Sequence, residues 1–326
     1  MQRKRKIKFV YIYLVLLLML VVGVFVYSFS TREAEPYDEV RNINNGASLN
    51  VQGGEAIDYS EGEEHSEPSL GYIFFSMNES DIFAGSLILV NHEHPFEFPV
   101  DDGLASLLTE STGTYGVLGA NHYLYHAIIP TLDAMMAAYT EETSDETVVI
   151  ISAFRGLEAQ QAVLTARINL LGREEALRWV AEPGHSEHHT GLAIDLGIYV
   201  GYQRNFTGTG VSAWFSENAH RFGFILRYPQ NSFDTTRVAY EPWHFRYIGK
   251  PHSFIVFQNE LLLEDYIDYI RGYSFYSPLT FELAGAIYEI FFTDELDIRI
   301  PSGVSHEISG NNIDGFIVTL RRTAGN

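Results

Sequence analysis

Two short stretches of this chain hold residue types that could do chemistry together. One is Ser186-Glu187-His188-His189-Thr190-Gly191-Leu192-Ala193-Ile194-Asp195, and the other is Glu241-Pro242-Trp243-His244. His188, Asp195 and His244 offer two imidazoles and a carboxylate. That set suits a zinc ion bound at ~2.0–2.2 Å with its fourth position left to water. Glu241 reads as a base rather than a ligand, because Pro242 biases it away from the helical geometry that would turn it beside His244. Bound zinc lowers the pKa of its water toward ~7, and a nearby carboxylate can take that proton and pass it to a leaving amine. The chain contains no cysteine, so a closed thiolate zinc site is ruled out.

Taken singly, these residues are ordinary. What raises them is their joint arrangement, four polar groups set in otherwise apolar strand sequence. Other metal-like spacings carry less. His92 and His94 sit at the end of an apolar run and read as a solvated loop. His122 and His126 lack the glutamate beside the first histidine that a zincin helix needs. There is no Gly-x-Ser-x-Gly elbow and no phosphate-binding glycine loop.

The surrounding pattern says what must position the four groups. From Gly191 to Gly197 the sequence alternates, so Leu192, Ile194 and Leu196 face a core while Asp195 points the other way on a rigid strand. Ser86 to Val90, Thr147 to Ser152, Phe224 to Tyr228 and Phe245 to Ile248 read as further strands. Helical spacing covers Leu124 to Tyr139, interrupted at Pro130, and then Glu158 to Leu171, Glu174 to Val180 and Ser212 to Phe222. Gly223 is the expected cap of the last of these. Helices and strands do not alternate regularly. The expected fold is therefore α+β, a mainly antiparallel sheet with flanking helices.

The ends differ from this middle. Phe9 to Phe29 carries no charge and is long enough as a helix to cross a ~30 Å hydrocarbon core. Basic residues precede it in 1–8, which places the N-terminus in the cytoplasm and everything after Ser30 outside. No small-residue cleavage site follows, so 9–29 reads as a single-pass transmembrane anchor rather than a cleaved signal. Residues 30–70 are acidic and poor in large apolar side chains, a disordered linker. Residues 71–251 form the expected catalytic domain. Past Pro251 an amphipathic helix over Leu261 to Arg271 leads into short Tyr- and Phe-rich strands, a small β-rich module over 252–326 with no assigned role. Within it, Tyr273 to Tyr276 reads as core rather than a sugar-stacking platform. A net charge of −21 and the lack of a basic stripe exclude nucleic acid as a partner. Zero cysteines in an exported chain exclude a disulfide framework.

The string Ser186-x-His188-x-x-Gly191-x-Ala193-x-Asp195, followed by Glu241-x-Trp243-His244-x-Arg246-Tyr247, resembles the VanY-type D-alanyl-D-alanine carboxypeptidases. These belong with the wider lysostaphin, VanX and hedgehog-like group of metallopeptidases. The likeness covers roughly residues 73 to 251, including Ser152-x-x-Arg155-x-x-x-x-Gln160. It implies His188, Asp195 and His244 as zinc ligands and Glu241 as catalytic base. It also implies Arg155 as a stabiliser of the substrate carboxylate or of transition-state charge, with Gln160 and Ser186 helping to bind the terminal residue. Physical chemistry agrees on Arg155, since a guanidinium grips a free C-terminal carboxylate bidentately. His189 departs from the family pattern, and its expected part is that of a loop neighbour. The implied function is removal of the C-terminal D-alanine from peptidoglycan stem peptides. An L,D-specificity for tetrapeptide stems and an inactive wall-binding module are the alternatives. Free D-Ala-D-Ala would be met in the cytoplasm, so the expected anchor argues against a dipeptidase.

Overall fold

A six-stranded mixed sheet carries both motifs, and its register brings them together. The computed structural model describes residues 71–97 and 103–323. The expected anchor and linker fall outside them, and among the described residues no helix is long and apolar enough to cross a membrane. In chain order come β1 (Tyr72–Ser76), β2 (Leu104–Ser106), β3 (Gly116–Val117), β4 (Tyr123–Tyr125), helix α1 (Ile129–Thr143), β5 (Val148–Ser152) and α2 (Leu157–Leu171). Then follow β6 (Ala193–Tyr199), β7 (Gln203–Arg204), β8 (Phe224–Leu226) and β9 (His244–Tyr247). The chain continues through α3 (His252–Gln258), α4 (Leu263–Ile270), β10 (Leu279–Leu283), β11 (Ala286–Thr293), β12 (Asp297–Pro301), β13 (Ser305–Gly310) and β14 (Phe316–Thr323).

The central sheet runs β3-β5-β6-β9-β8, with β7 paired to β6. Only β3 against β5 is parallel, so the expected mixed α+β fold with mostly antiparallel pairing holds. The alternation read along β6 also holds. Leu192, Ile194 and Leu196 enter the main core beside Val148, Ile150, Phe215 and Phe245, with α1 supplying Leu132, Met135 and Met136. Pro130 falls in the first turn of α1, where its missing N–H costs nothing.

Three expectations fail locally. In the Tyr273 to Tyr276 stretch expected as core, Tyr273 and Phe275 are half-buried but Tyr276 is 84% exposed. Ser86 to Val90 is irregular rather than a strand. Leu87 to Val90 are buried, but their backbone is bound by loops and side chains. Leu89 N–H donates to the Asn311 carbonyl at 3.1 Å, and Leu87 N–H donates to Ser309 Oγ at 2.9 Å. An apolar run shows burial, not which partner satisfies its backbone. The helix expected over Glu174 to Val180 shortens to Arg173–Ala176.

Residues 252–323 share their packing with the rest of the chain. A second cluster joins Ile255, Val256, Leu263, Tyr266 and Ile290 to Leu87, Leu89, Ile225 and Ile248. The sheet β10-β11-β14-β13 lies in this part. The opening strand β1 pairs antiparallel with β12, Tyr72 opposite Pro301 and Ser76 opposite Asp297.

Candidate metal and peptidase site

The turn that carries His188 is built by its neighbours. Glu187–Thr190 is a single 3-10 turn capped by Ser186, whose Oγ accepts from His188 N–H at 3.4 Å. Gly191 ends it at φ 68°, and a Cβ there would fall 2.5 Å from the Leu104 side chain. The chain then enters β6 directly, and the β6–β9 register sets Asp195 opposite His244. Motif residues far apart in sequence thus become cross-strand neighbours.

His188 Nδ1 lies 2.7 Å from the Ala153 carbonyl oxygen. A carbonyl can only accept, so Nδ1 carries the proton and Nε2 is left as a donor of its lone pair. That Nε2 stands 3.2 Å from Asp195 Oδ2. His244 is held the other way round. Its Nε2 is 3.1 Å from Glu187 Oε2, and its Nδ1 faces Asp195 Oδ1 at 3.0 Å. The ligating atoms of His188, Asp195 and His244 all lie within 4.8 Å of one another, a set that could hold a metal ion. Glu241 Oε2 stands 4.0 Å from His244 Nδ1, at the margin of the set.

Burial decides the electrostatics. Desolvation pushes the Glu241 carboxyl from 4.5 up to about 8, with Asp195 adding to the rise and His244 opposing it. Asp195 is also desolvated, yet the charges of and hydrogen bonds to His188 and His244 hold it well below the usual carboxylate range. Desolvation lowers His188 despite the opposing charge of Asp195. Two adjacent carboxyl groups are therefore driven apart, one fixed as an anion and one poised to exchange a proton near neutrality.

Arg155 comes off the end of β5. Its Nη1 donates to Gln160 Oε1 at 2.7 Å, its Nη2 to Ser152 Oγ at 2.8 Å, and Nη2 lies 3.8 Å from Asp195 Oδ2. Gln160 is buried and spends its amide on the Ala181 carbonyl. It thus aims Arg155. Ser186, Gln160, Arg155, His188, Asp195, Glu241 and His244 all line one pocket of ≈ 130 Å³ together with Tyr228, Trp179 and Trp243. The pocket is a small cleft beside the donor set. All the site residues named from the sequence meet there.

His189 does not join them. Its Nε2 accepts from Gly184 N–H at 3.0 Å and its Nδ1 donates to the Arg155 carbonyl, so it fastens two loops. His122 Nε2 contacts the Leu118 carbonyl at 2.8 Å, and His92 and His94 lie in a bend, the first exposed and the second half-buried.

Sequence reasoning missed the layer behind His244. Glu187, Arg227 and Arg246 are buried almost completely, at 1%, 1% and 0% exposure. Arg227 Nε donates to Glu187 Oε1 at 2.8 Å and Arg246 Nη1 donates to the same oxygen at 3.0 Å. Glu187 and Arg246 were visible inside the motifs, but nothing in their spacing announced burial. Arg227 carried no signal at all.

With this geometry in place the comparisons decide the family. The VanY family profile, D-alanyl-D-alanine carboxypeptidase, matches residues 121–250. A D-alanyl-D-alanine carboxypeptidase of Enterococcus faecium is 32% identical over 251 residues, covering 75% of this chain and 78% of that protein. The chain belongs to the VanY-type D-alanyl-D-alanine carboxypeptidases. It is accordingly a peptidase. Among solved structures, the vancomycin-resistance D,D-dipeptidase VanXYg, in complex with a D-Ala-D-Ala phosphinate analogue, is 32% identical with a TM-score of 0.69. That match covers 77% of this VanY-type chain and 99% of the other. The LD-carboxypeptidase LdcB is 26% identical with a TM-score of 0.51, covering 63% of this chain and 93% of the other.

Proposed function

We propose that this VanY-type chain is a zinc-dependent D,D-carboxypeptidase that removes the C-terminal D-alanine from peptidoglycan stem peptides. It would act outside the cytoplasm, tethered by residues 9–29. The observation that carries the reading is the convergence of His188 Nε2, Asp195 and His244 Nδ1 within 4.8 Å, beside a carboxyl raised to about 8.

The donor set fits zinc on its own chemistry. Each imidazole has its outward nitrogen engaged, on the Ala153 carbonyl and on Glu187, so Nε2 of one and Nδ1 of the other are turned toward Asp195. His188, Asp195 and His244 would hold the ion, which when bound supplies Lewis acidity toward a carbonyl and a more acidic water. The protein's own groups do the rest. Arg155 is aimed by Ser152 and Gln160 with donors to spare, and it binds the terminal carboxylate of the peptide. Glu241 takes a proton from the attacking water and returns it to the departing amine.

The likeness to LdcB supports an L,D-carboxypeptidase as the second reading. An inactive wall-binding role is disfavoured because no member of the His188, Asp195, Glu241 and His244 set is missing. The test gives full-length, zinc-loaded protein pentapeptide and tetrapeptide stems and follows products by mass spectrometry, beside an EDTA-treated sample and Glu241→Gln. Loss of one alanine from the pentapeptide, abolished in both controls, is expected. Release from the tetrapeptide alone would move the assignment to L,D-specificity, and no release from either would overturn both.

A further inference from the structure

The buried charges behind His244 form a chain that runs out of the motif region. Glu187 Oε2 faces His244 Nε2, and Glu187 Oε1 accepts from both Arg227 and Arg246. Arg227 then makes a two-pronged contact with Glu264 on α4, Nη1 to Oε2 at 2.8 Å and Nη2 to Oε1 at 2.6 Å. Asn91 Nδ2 donates to the same Glu264 at 3.2 Å. Arg246 is anchored in its turn by the Ser86 and Ile88 carbonyls, at 3.1 and 2.9 Å. Glu264 lies beyond the residues that match the family profile, 121–250.

Such a cluster is a poor device for stability alone. Charged groups taken wholly out of water lose hydration that their mutual attraction roughly repays, and apolar replacements are often as stable. What a buried, fully bonded cluster supplies is fixed geometry. Here the geometry has one consequence at the pocket. A carboxylate held on Nε2 leaves only Nδ1 of His244 to face Asp195 and His188. A ring free to flip would present either nitrogen.

We propose that Glu187 is a positioning residue for the metal centre. It fixes the orientation and tautomer of His244, and it is itself held charged and in place by Arg227, Arg246 and, through Arg227, Glu264 of α4. Residues 252–270 thereby become a working part of the metal centre. The inference rests on the zinc reading above. Carboxylates that buttress ligating histidines typically alter metal affinity by about 10–100-fold.

The test measures zinc dissociation constants by chelator competition on full-length wild type, Glu187→Gln and Glu264→Gln. Thermal melting of the metal-free proteins runs beside it. Glu187→Gln is expected to bind zinc on the order of 10–100-fold more weakly. Glu264→Gln, which spares every group touching the pocket, is expected to weaken it in the same direction. In zinc-loaded wild type the His244 Nε2–H proton should appear as an exchange-protected, far-downfield NMR resonance, and it should shift or vanish in Glu187→Gln. A cluster that served only stability would lower the melting midpoints and leave zinc affinity within twofold of wild type. That outcome overturns the inference. If Glu187→Gln does not fold, Glu264→Gln decides by the same criterion. Wild type that binds no zinc would instead overturn the function proposed above, so the two failures are distinguishable.

Discussion

His244 and His252 are both nearly inaccessible, at 4% and 1% exposure, yet they have been turned into opposite groups. His244 sits between two carboxylates. Burial alone would lower its pKa, but the hydrogen bonds to Asp195 and Glu187 raise it to about 9 in the metal-free chain. His252 opens α3 and meets only hydroxyls, the Tyr266 OH at 2.6 Å on Nδ1 and Thr319 Oγ1 at 3.1 Å on Nε2. Desolvation is unopposed there and pushes it down to about 3. Burial is thus shared, and the charge of the partners decides the outcome. A histidine with carboxylates on both nitrogens can exchange its proton for a metal ion. One wrapped in neutral hydroxyls can only pack.

The first way to break this contrast is to remove each ring. His244→Gln should abolish zinc retention and reduce kcat/KM by on the order of 10³-fold or more, about 4 kcal/mol at 1.36 kcal/mol per tenfold. His252→Gln should retain zinc and leave kcat/KM of the folded protein within a few-fold. Metal analysis and steady-state kinetics on both variants check this, and comparable losses in the two would end the distinction.

Next in size is the proton-transfer step beside His244. Glu241→Gln should lower kcat by roughly 10²–10⁴-fold, the usual worth of a general acid–base group. Zinc stoichiometry should stay unchanged, because Glu241 stands outside the ligand set. A variant that also lost its zinc would make Glu241 a ligand.

A smaller effect is expected where the neutral hydroxyls meet His252. His252→Ala deprives Tyr266 and Thr319 of their buried partner and opens a cavity. It should destabilise the fold by about 1–3 kcal/mol. Urea unfolding of metal-free protein measures it.

How much of this was readable beforehand follows from which forces act locally. The alternation from Leu192 to Leu196 predicted the face on which Asp195 sits, because strand geometry fixes side-chain direction. Every residue that the sequence offered as ligand, base or binder does line the pocket, but Tyr228, Trp179 and Glu187, which line it too, were not among them. Their being neighbours needed the pairing of β6 with β9, a long-range event that local pattern does not encode. Ser86 to Val90 looked like a strand because burial and strand pairing leave the same apolar signature. Glu187 was quoted inside the motif and passed over, since an acidic residue in a short turn is usually solvated. Only the arrival of Arg227, Arg246 and Glu264 from three other elements makes it a buried anion. His252 gave no sign of difference from His244, because its partners Tyr266 and Thr319 come from α4 and β14.

The subtlest prediction uses pH to separate the two rings in metal-free protein. An unfolded histidine titrates near ~6.5. His252 has its folded pKa depressed to about 3. Between these values the unfolded chain binds a proton that the folded chain refuses, so its contribution to stability is complete above pH 6.5 and declines as pH falls toward 3. His244 has its folded pKa raised to about 9. Its contribution is complete below pH 6.5 and is lost as pH rises through 9. Each slope is at most about 1.4 kcal/mol per pH unit. Paired carboxylates elsewhere also titrate, so the useful quantity is the stability difference between wild type and each Gln variant. The wild-type advantage over His252→Gln should shrink from pH 7 to pH 5. The advantage over His244→Gln should shrink from pH 7 to pH 9.5. Differences that ran the same way with pH would mean that the two environments do not impose opposite charge states, and the contrast between the rings would fail at its physical root.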